Sequence, residues 1–508
     1  MDLQFLNARN GQQTCSADGR YLHSSFNPQI ESERFIQSLT SVFTPSAVIL
    51  AGACLPWCIA PLRKKFPDAR LVAVQYDARF ENESSEWDNV FFITDDADSH
   101  SFSTSLFNLL GEEKLMTTLF LSWKPSEAVW IDETRLFWSA VKACMEKAQS
   151  VLTTRNWFNL RWFKNTIHNL ASISNYVLPE KTNLPVVVTA SGPSLEKALP
   201  FLSANRKSFC LLAASSSIST LLSHDIVPDL CISTDGGWYA TRHLRCYQTD
   251  IRLKNVPLII SAESAVPAPL YNSVPFILLS YGDAVETLLA EELDIPCVKG
   301  LRNGTVSGTA AAFALSLTTS DVYICGLDLA PGKGFQHAEP NENDVPLFTG
   351  QSRIRTLETA QSSSRYASGS LSLYREWFSS QGPDFSSRII RLISEAEPLE
   401  PLGTIKDICC EKLSLPEHST SEKPLFKSAR TEEMDKADSR VRIQKYFSSV
   451  SELLKAHPDD NGNSIWFSTL AIKSYINWLR MSDSDKKDFL PSLVTETTDC
   501  IKEVLAHV

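Results

Sequence analysis

A chain of 508 residues with a formal net charge of −11 has room for two or three domains and is too acidic for non-specific nucleic-acid binding, which needs a basic face. No apolar run is long enough to span a bilayer, and the opening MDLQFLNARNGQQT lacks the basic and apolar regions of a secretory signal, so a cytoplasmic protein with no membrane span is expected. The twelve cysteines are scattered. The pairs Cys54/Cys58 and Cys409/Cys410 have no second pair at zinc-site spacing, so they read as buried free thiols and no metal site is expected.

The first 150 residues alternate short β-type runs (Ala47 to Leu50, Leu71 to Val74, Val90 to Thr94, Thr118 to Leu121) with helical segments, the pattern of a mostly parallel sheet. Glu133 to Tyr176 reads as a helix-rich bridge carrying Trp138, Trp157, Trp162 and Phe163. A second α/β run follows. Its strands are expected at Val186 to Val188, Phe209 to Ala213, Leu230 to Ser233, Leu258 to Ser261, Phe276 to Leu279, Cys297 to Val298 and Val322 to Cys325. Short loops and right-handed crossovers favour a doubly wound, Rossmann-like sheet. Beyond residue 395 the pattern fades. Leu413 to Ser439, rich in Ser, Glu, Lys and Asp, reads as linker, and Val441 to Val508 has helical spacing. The expected architecture is therefore α/β: two Rossmann-like domains (1–150 and 151–395), a linker (396–440) and a C-terminal helical region (441–508).

In such sheets ligands gather at the carboxyl ends of the strands. Ser191-Gly192-Pro193-Ser194 runs from a strand into a helix, where free N–H groups and the helix dipole suit a phosphate or carboxylate; an ordinary well-capped turn has the same look. Asp235, before Gly236-Gly237, can hold a ribose hydroxyl, a metal or an acceptor hydroxyl, or simply cap the bend. The loop from Gly300 to Gly308 offers Arg302, Asn303, Gly304, Thr305, Ser307 and a further helix N-terminus, a set suited to an anion. Asp328 can orient a base or cap its turn. His337 can accept a proton from a hydroxyl near pH 7, whereas His224 and His243 read as structural.

These residues resemble a known family. Val187-Val-Thr-Ala-Ser-Gly-Pro-Ser-Leu, the Asp235 turn, Gly304-Thr-Val-Ser-Gly-Thr-Ala-Ala-Ala-Phe-Ala and Ile324-Cys-Gly-Leu-Asp-Leu-Ala followed by Gln336-His-Ala are similar to the central domain of motility-associated factor (Maf) glycosyltransferases. That domain is shared with the 6-hydroxymethylpterin diphosphokinase MptE-like family. Tyr21-Leu-His-Ser-Ser-Phe-Asn-Pro-Gln-Ile-Glu31 resembles a segment ahead of that domain in Maf proteins, so the likeness spans roughly residues 20 to 395. It implies transfer of a nonulosonic acid, of the pseudaminic or legionaminic type, from its CMP-activated form to Ser or Thr of flagellin. The central domain also resembles bacterial sialyltransferases that use CMP-sialic acid.

By that resemblance Gly192, Pro193 and Ser194 touch the nucleotide, Ser307 and Gly308 lie beside its phosphate, and His337 is the base, at a spacing from Asp328 shorter than in the sialyltransferases. Arg302 or Asn303 would meet the sugar carboxylate. Tyr366 and Tyr374 are weaker phosphate contacts. The mechanism is inverting and needs no cofactor or metal. Three other readings stay open. A pterin diphosphokinase would need ATP and Mg²⁺, with Asp235 and Asp328 as ligands. The first domain, through Val48-Ile-Leu-Ala-Gly52 and Asp77, has the outline of a methyltransferase or of a degenerate, non-catalytic Rossmann unit. A non-enzymatic flagellin-binding protein is the third.

Overall fold

The computed structural model describes residues 1–506 except 95–98, 283–284, 330–336, 343–348, 355, 357–368, 397–398, 417–423, 425 and 429–435. It divides into two units, Met1–Asn159 with Leu453–Asp499, and Leu160–Glu452 with Cys500–Val508. The helix Ile131–Ser172 begins in the first and ends in the second.

The first unit opens with an antiparallel three-stranded sheet, β1 (Leu3–Asn7), β2 (Gln13–Ala17) and β3 (Arg20–Tyr21). A four-stranded parallel sheet follows: β4 (Ala47–Ala51), β5 (Arg70–Gln75), β6 (Asn89–Phe92) and β7 (Thr118–Ser122), ordered β6-β5-β4-β7. Val48, Ile49, Leu50, Val72 and Ala73 are wholly buried. Burial on both faces is why these strands read as unbroken apolar runs. Asn27 caps the helix Pro28–Ser38, whose first residue is a proline, as suits a helix start.

At the carboxyl end of this sheet the crevice between β4 and β7 is filled by the chain's own groups. Gly52 has a φ of +64°, and a Cβ there would lie 2.5 Å from Ser126 Cβ. The Ser126 hydroxyl donates to Gly52 O at 2.7 Å. The buried Gln75 amide accepts from Cys54 N–H at 2.9 Å and donates to Cys54 O at 3.0 Å. The Leu55 N–H donates to Nε2 of the buried His23 at 3.2 Å. All twelve cysteines are free thiols, and burial pushes Cys58 up to about 12.

The second unit is built on nine parallel strands: β9 (Val186–Thr189), β10 (Cys210–Ala214), β11 (Leu230–Ser233), β12 (Leu258–Ser261), β13 (Phe276–Ser280), β14 (Cys297–Lys299), β15 (Val322–Cys325), β16 (Ile389–Ile393) and β17 (Lys406–Cys409). The order is β14-β13-β12-β11-β10-β9-β15-β16-β17. A short pair of β8 (Val177–Pro179) and β18 (Phe426–Ser428) is separate. From β9 the chain steps outward to β14. It then crosses back along the helix Val306–Leu317 to place β15 on the other side of β9.

Ala310, Ala311 and Ala314 of that helix share a core with Val186, Val188, Leu212, Ile232 and Ile324. Their small side chains let helix and sheet close tightly. The sheet continues past residue 395. Arg391 of β16, fully buried, pairs with Asp407 of β17 through two hydrogen bonds of 2.8 Å. The C-terminal region is helical: Lys436–Ala456, Ser464–Leu470, Ile472–Leu479 and Asp483–Leu505. Among the described residues no helix is long and apolar enough to cross a membrane.

Candidate functional site at the carboxyl margin of the nine-stranded sheet

The strand order reverses between β9 and β15, the place where doubly wound sheets open a crevice for a ligand. Two glycines make the approach possible. Gly192 N–H donates to Gly326 O at 2.8 Å. A Cβ on Gly192 would lie 2.5 Å from Gly326 O and 2.7 Å from Asp328 Cγ, and one on Gly326 (φ +71°) 2.4 Å from Ala190 O. Asp328 is nearly buried. Its carboxylate accepts Ser194 N–H at 2.8 Å and the Ser194 hydroxyl. It thus caps the helix Leu195–Ala204 and sets a negative charge at the positive end of the helix dipole. Pro193 has no N–H to satisfy. Ser191 Oγ accepts from Ser216 Oγ at 2.8 Å, which joins the turns after β9 and β10.

The loop after β14 is anchored by Gly300 N–H to Ser280 O at 2.8 Å. Asn303 Oδ1 accepts Thr305 N–H at 2.8 Å, Gly304 has a φ of +80°, and Thr305 Oγ1 caps Val306–Leu317 by accepting Gly308 N–H at 2.9 Å. A Cβ on Gly308 would stand 2.7 Å from the Asn303 amide, so a larger residue there would have to displace that side chain. The N–H groups of Val306 and Ser307 remain as first-turn donors. The half-buried Ser307 hydroxyl makes no hydrogen bond among the described residues. Arg302, expected to meet a sugar carboxylate, instead lies on Glu263 with N–O distances of 2.9 and 3.2 Å and stacks over the Tyr281 ring at 4.4 Å.

His337 lies on a segment laced across the margin. Ala338 N–H donates to Ser191 O at 2.7 Å, Thr220 Oγ1 to Ala338 O at 3.1 Å, and Asn341 Nδ2 to Ser216 O at 2.9 Å. Glu342 accepts from Ser219 Oγ and stands 3.0 Å from His243 Nδ1. Burial, and then the neighbouring His243, push His337 down to about 4, with Glu342 opposing. His337 is therefore neutral at pH 7 and a weak base. His243 is buried against Glu342 beside it. The pairing joins residues 99 positions apart, which no local motif signals.

Asp235 is exposed and accepts Gly237 N–H at 2.7 Å, an Asx turn. Gly236 lies under Trp162, whose Cδ1 would be 2.5 Å from a Cβ there. From the same helix, Asn165 Nδ2 donates to Gly236 O and Glu263 O, and Asn169 Nδ2 to Ala262 O and Ser264 O. These two amides brace the turns after β11 and β12, a role the sequence reading missed because it saw in this helix only its aromatic residues. Tyr374 is half-buried, and burial together with nearby Asp235 raises its phenol. Tyr366 and Gln336 lie outside the described residues. Among the described residues no group of three His, Cys, Asp or Glu side chains is placed to hold a metal ion.

Comparison with known proteins places this margin in a family context. Residues 161–334 match the family profile of 6-hydroxymethylpterin diphosphokinase MptE-like proteins. An uncharacterized protein of Treponema pallidum (strain Nichols) is 28% identical over 356 residues, 70% of this chain and 77% of its own length. The structure of a Maf glycosyltransferase from Magnetospirillum magneticum AMB-1 superposes with a TM-score of 0.52 at 13% identity, covering 99% of this chain and 91% of that one. Residues 161–334 are thus similar to MptE-like proteins, and the chain shares its fold with a Maf glycosyltransferase.

Proposed function

We propose that the protein is a glycosyltransferase that moves a nonulosonic acid from its CMP-activated form to Ser or Thr hydroxyls of flagellin, in the cytoplasm. One observation carries this reading. The turns Ser191–Ser194, Ser215–Ser217, Asp235–Gly237, Gly300–Gly308 and Gly326–Asp328 all follow the carboxyl ends of parallel strands on one margin, on either side of the β9/β15 switch point. The fold shared with a Maf glycosyltransferase supports it.

In this scheme the two helix starts take different parts of the donor. Asp328 already neutralises the start of Leu195–Ala204. A phosphate would be repelled there, whereas ribose or base donors suit its carboxylate. Ser191, Gly192, Pro193 and Ser194 are therefore assigned to the nucleoside. The phosphate falls to Asn303, Gly304, Thr305, Ser307 and Gly308, where first-turn N–H groups and the Ser307 hydroxyl remain available. As the bond to the sugar breaks, charge builds on the departing CMP phosphate, and these donors stabilise it. His337, neutral at pH 7, accepts the proton of the attacking hydroxyl on the opposite face, which inverts the anomeric centre. Asp235 is assigned to steer that hydroxyl. No metal is called for.

The competing diphosphokinase reading has the family description in its favour. It would require Asp235 and Asp328 as Mg²⁺ ligands; Asp328 already accepts two hydrogen bonds from Ser194, and Asp235 one from Gly237 N–H. The test is to incubate the full chain with CMP-activated nonulosonic acids and purified flagellin, and to read CMP release and flagellin mass. Gain of the sugar mass on flagellin is expected. AMP formation from ATP and a pterin alcohol, with no CMP release, would replace this reading by the kinase; neither activity would leave a flagellin-binding protein.

A further inference from the structure

Beside the Asp235 turn, a pocket of about 350 Å³ is lined by Trp238, Thr241, Arg245, Gln248, Thr249 and Pro267. Trp238 and Tyr239 are 57% and 61% exposed, in contact with each other at 5.6 Å. The Arg242 guanidinium lies over one face of the Trp238 ring, 4.6 Å from its centre, and 5.0 Å from the centre of Tyr239, while the indole stays more than half exposed. Arg206, Arg252, Arg302, Arg391 and Arg442 of the same unit all sit on acids. Among the described residues, Arg242 and Arg245 have no acidic partner. Two guanidinium groups without an acidic partner beside a largely exposed indole, in a chain of net charge −11, suit an anionic ligand with an apolar face.

We propose that this pocket is a subsite for a carboxylated sugar. The pyranose ring would lie against Trp238, its carboxylate on Arg245, and its hydroxyls and amide on Gln248, Thr241 and Thr249. The volume suits a monosaccharide, since small-molecule pockets begin near 300 Å³. The subsite gives the donor's carboxylate a partner that Arg302, held by Glu263, does not supply; its place in the reaction rests on the transferase reading above.

The test titrates N-acetylneuraminic acid, its methyl ester and N-acetylglucosamine into the full chain by saturation-transfer NMR, with CMP titrated in parallel. The free acid is expected to bind, the ester and the neutral sugar about tenfold more weakly. Trp238→Ala and Arg245→Ala, both at exposed positions, are each expected to weaken the acid about tenfold with an unchanged melting temperature. Absence of binding to the native chain, equal binding of acid and ester, or unchanged affinity in both variants would each overturn the subsite. If the acid binds through Trp238 and Arg245 while CMP does not bind, the subsite stands and the nucleotide reading falls.

Discussion

Gly192→Ala is a direct probe of the switch point. The added methyl would stand 2.5 Å from Gly326 O, 2.7 Å from Asp328 Cγ and 2.8 Å from its Oδ2. All three contacts belong to the β15 turn, so β9 and β15 must part or the turn must shift. Overpacking of this kind costs about 1–3 kcal/mol. The shift also strains the Gly192 N–H bond to Gly326 O and the Ser194 bonds to Asp328, and each lost hydrogen bond adds about 1 kcal/mol. With one of these bonds lost, a total of about 2–4 kcal/mol follows. For a unit of roughly 300 residues, at about 2.1 cal/mol/K of unfolding entropy per residue, this lowers the melting temperature by about 3–6 °C. Differential scanning calorimetry reads the shift, and hydrogen exchange at Gly192 and Ser194 reads its location. An unchanged melting temperature with unchanged protection at those amides would refute the close approach of the two turns.

Ser307→Ala removes a hydroxyl that has no hydrogen-bond partner among the described residues. It should leave stability unchanged and weaken CMP about two- to tenfold by calorimetric titration, the worth of one ligand hydrogen bond. Asp407→Ala strands the buried Arg391 guanidinium and should cost about 3–5 kcal/mol, while Arg391→Met with Asp407→Leu together should cost far less, both read by thermal unfolding. Burial lowers His23 to about 3 and His337 to about 4. Both are neutral when folded and take up protons on unfolding below pH 6.5, so their contribution to stability is complete above that pH and is lost as pH falls from 6.5 toward 4. Melting temperature should therefore climb between pH 4.5 and 6.5, and His23→Gln, which keeps an acceptor for Leu55 N–H, should flatten that climb; an unchanged slope would contradict the assignment for His23.

The sheet was legible in the sequence where strands are buried on both faces. β9 to β13 and β15 are unbroken runs of Val, Ile, Leu, Phe, Tyr, Ala and Cys, closed by small or polar turn residues, and pattern reading finds these. β16 escaped because Arg391 interrupts its run and makes sense only beside Asp407. β17 and the hairpin of β1 and β2 carry too many polar residues for the same signal. At the margin, the glycine turns announced themselves through composition. Their partners did not. The bond from Ser194 to Asp328 spans 134 positions, that from Arg302 to Glu263 spans 39, and that from His243 to Glu342 spans 99. Which donor stays open to a ligand depends on these pairings, and pairings between distant loops follow from topology rather than from any local pattern.

A crystal structure of the full chain grown with saturating CMP tests the central claim most directly. Density for the nucleoside beside Ser191–Ser194, with the phosphate at the first turn of Val306–Leu317, is the predicted result. Density at any other margin, or none at saturation, would contradict the assignment of this site to an activated sugar.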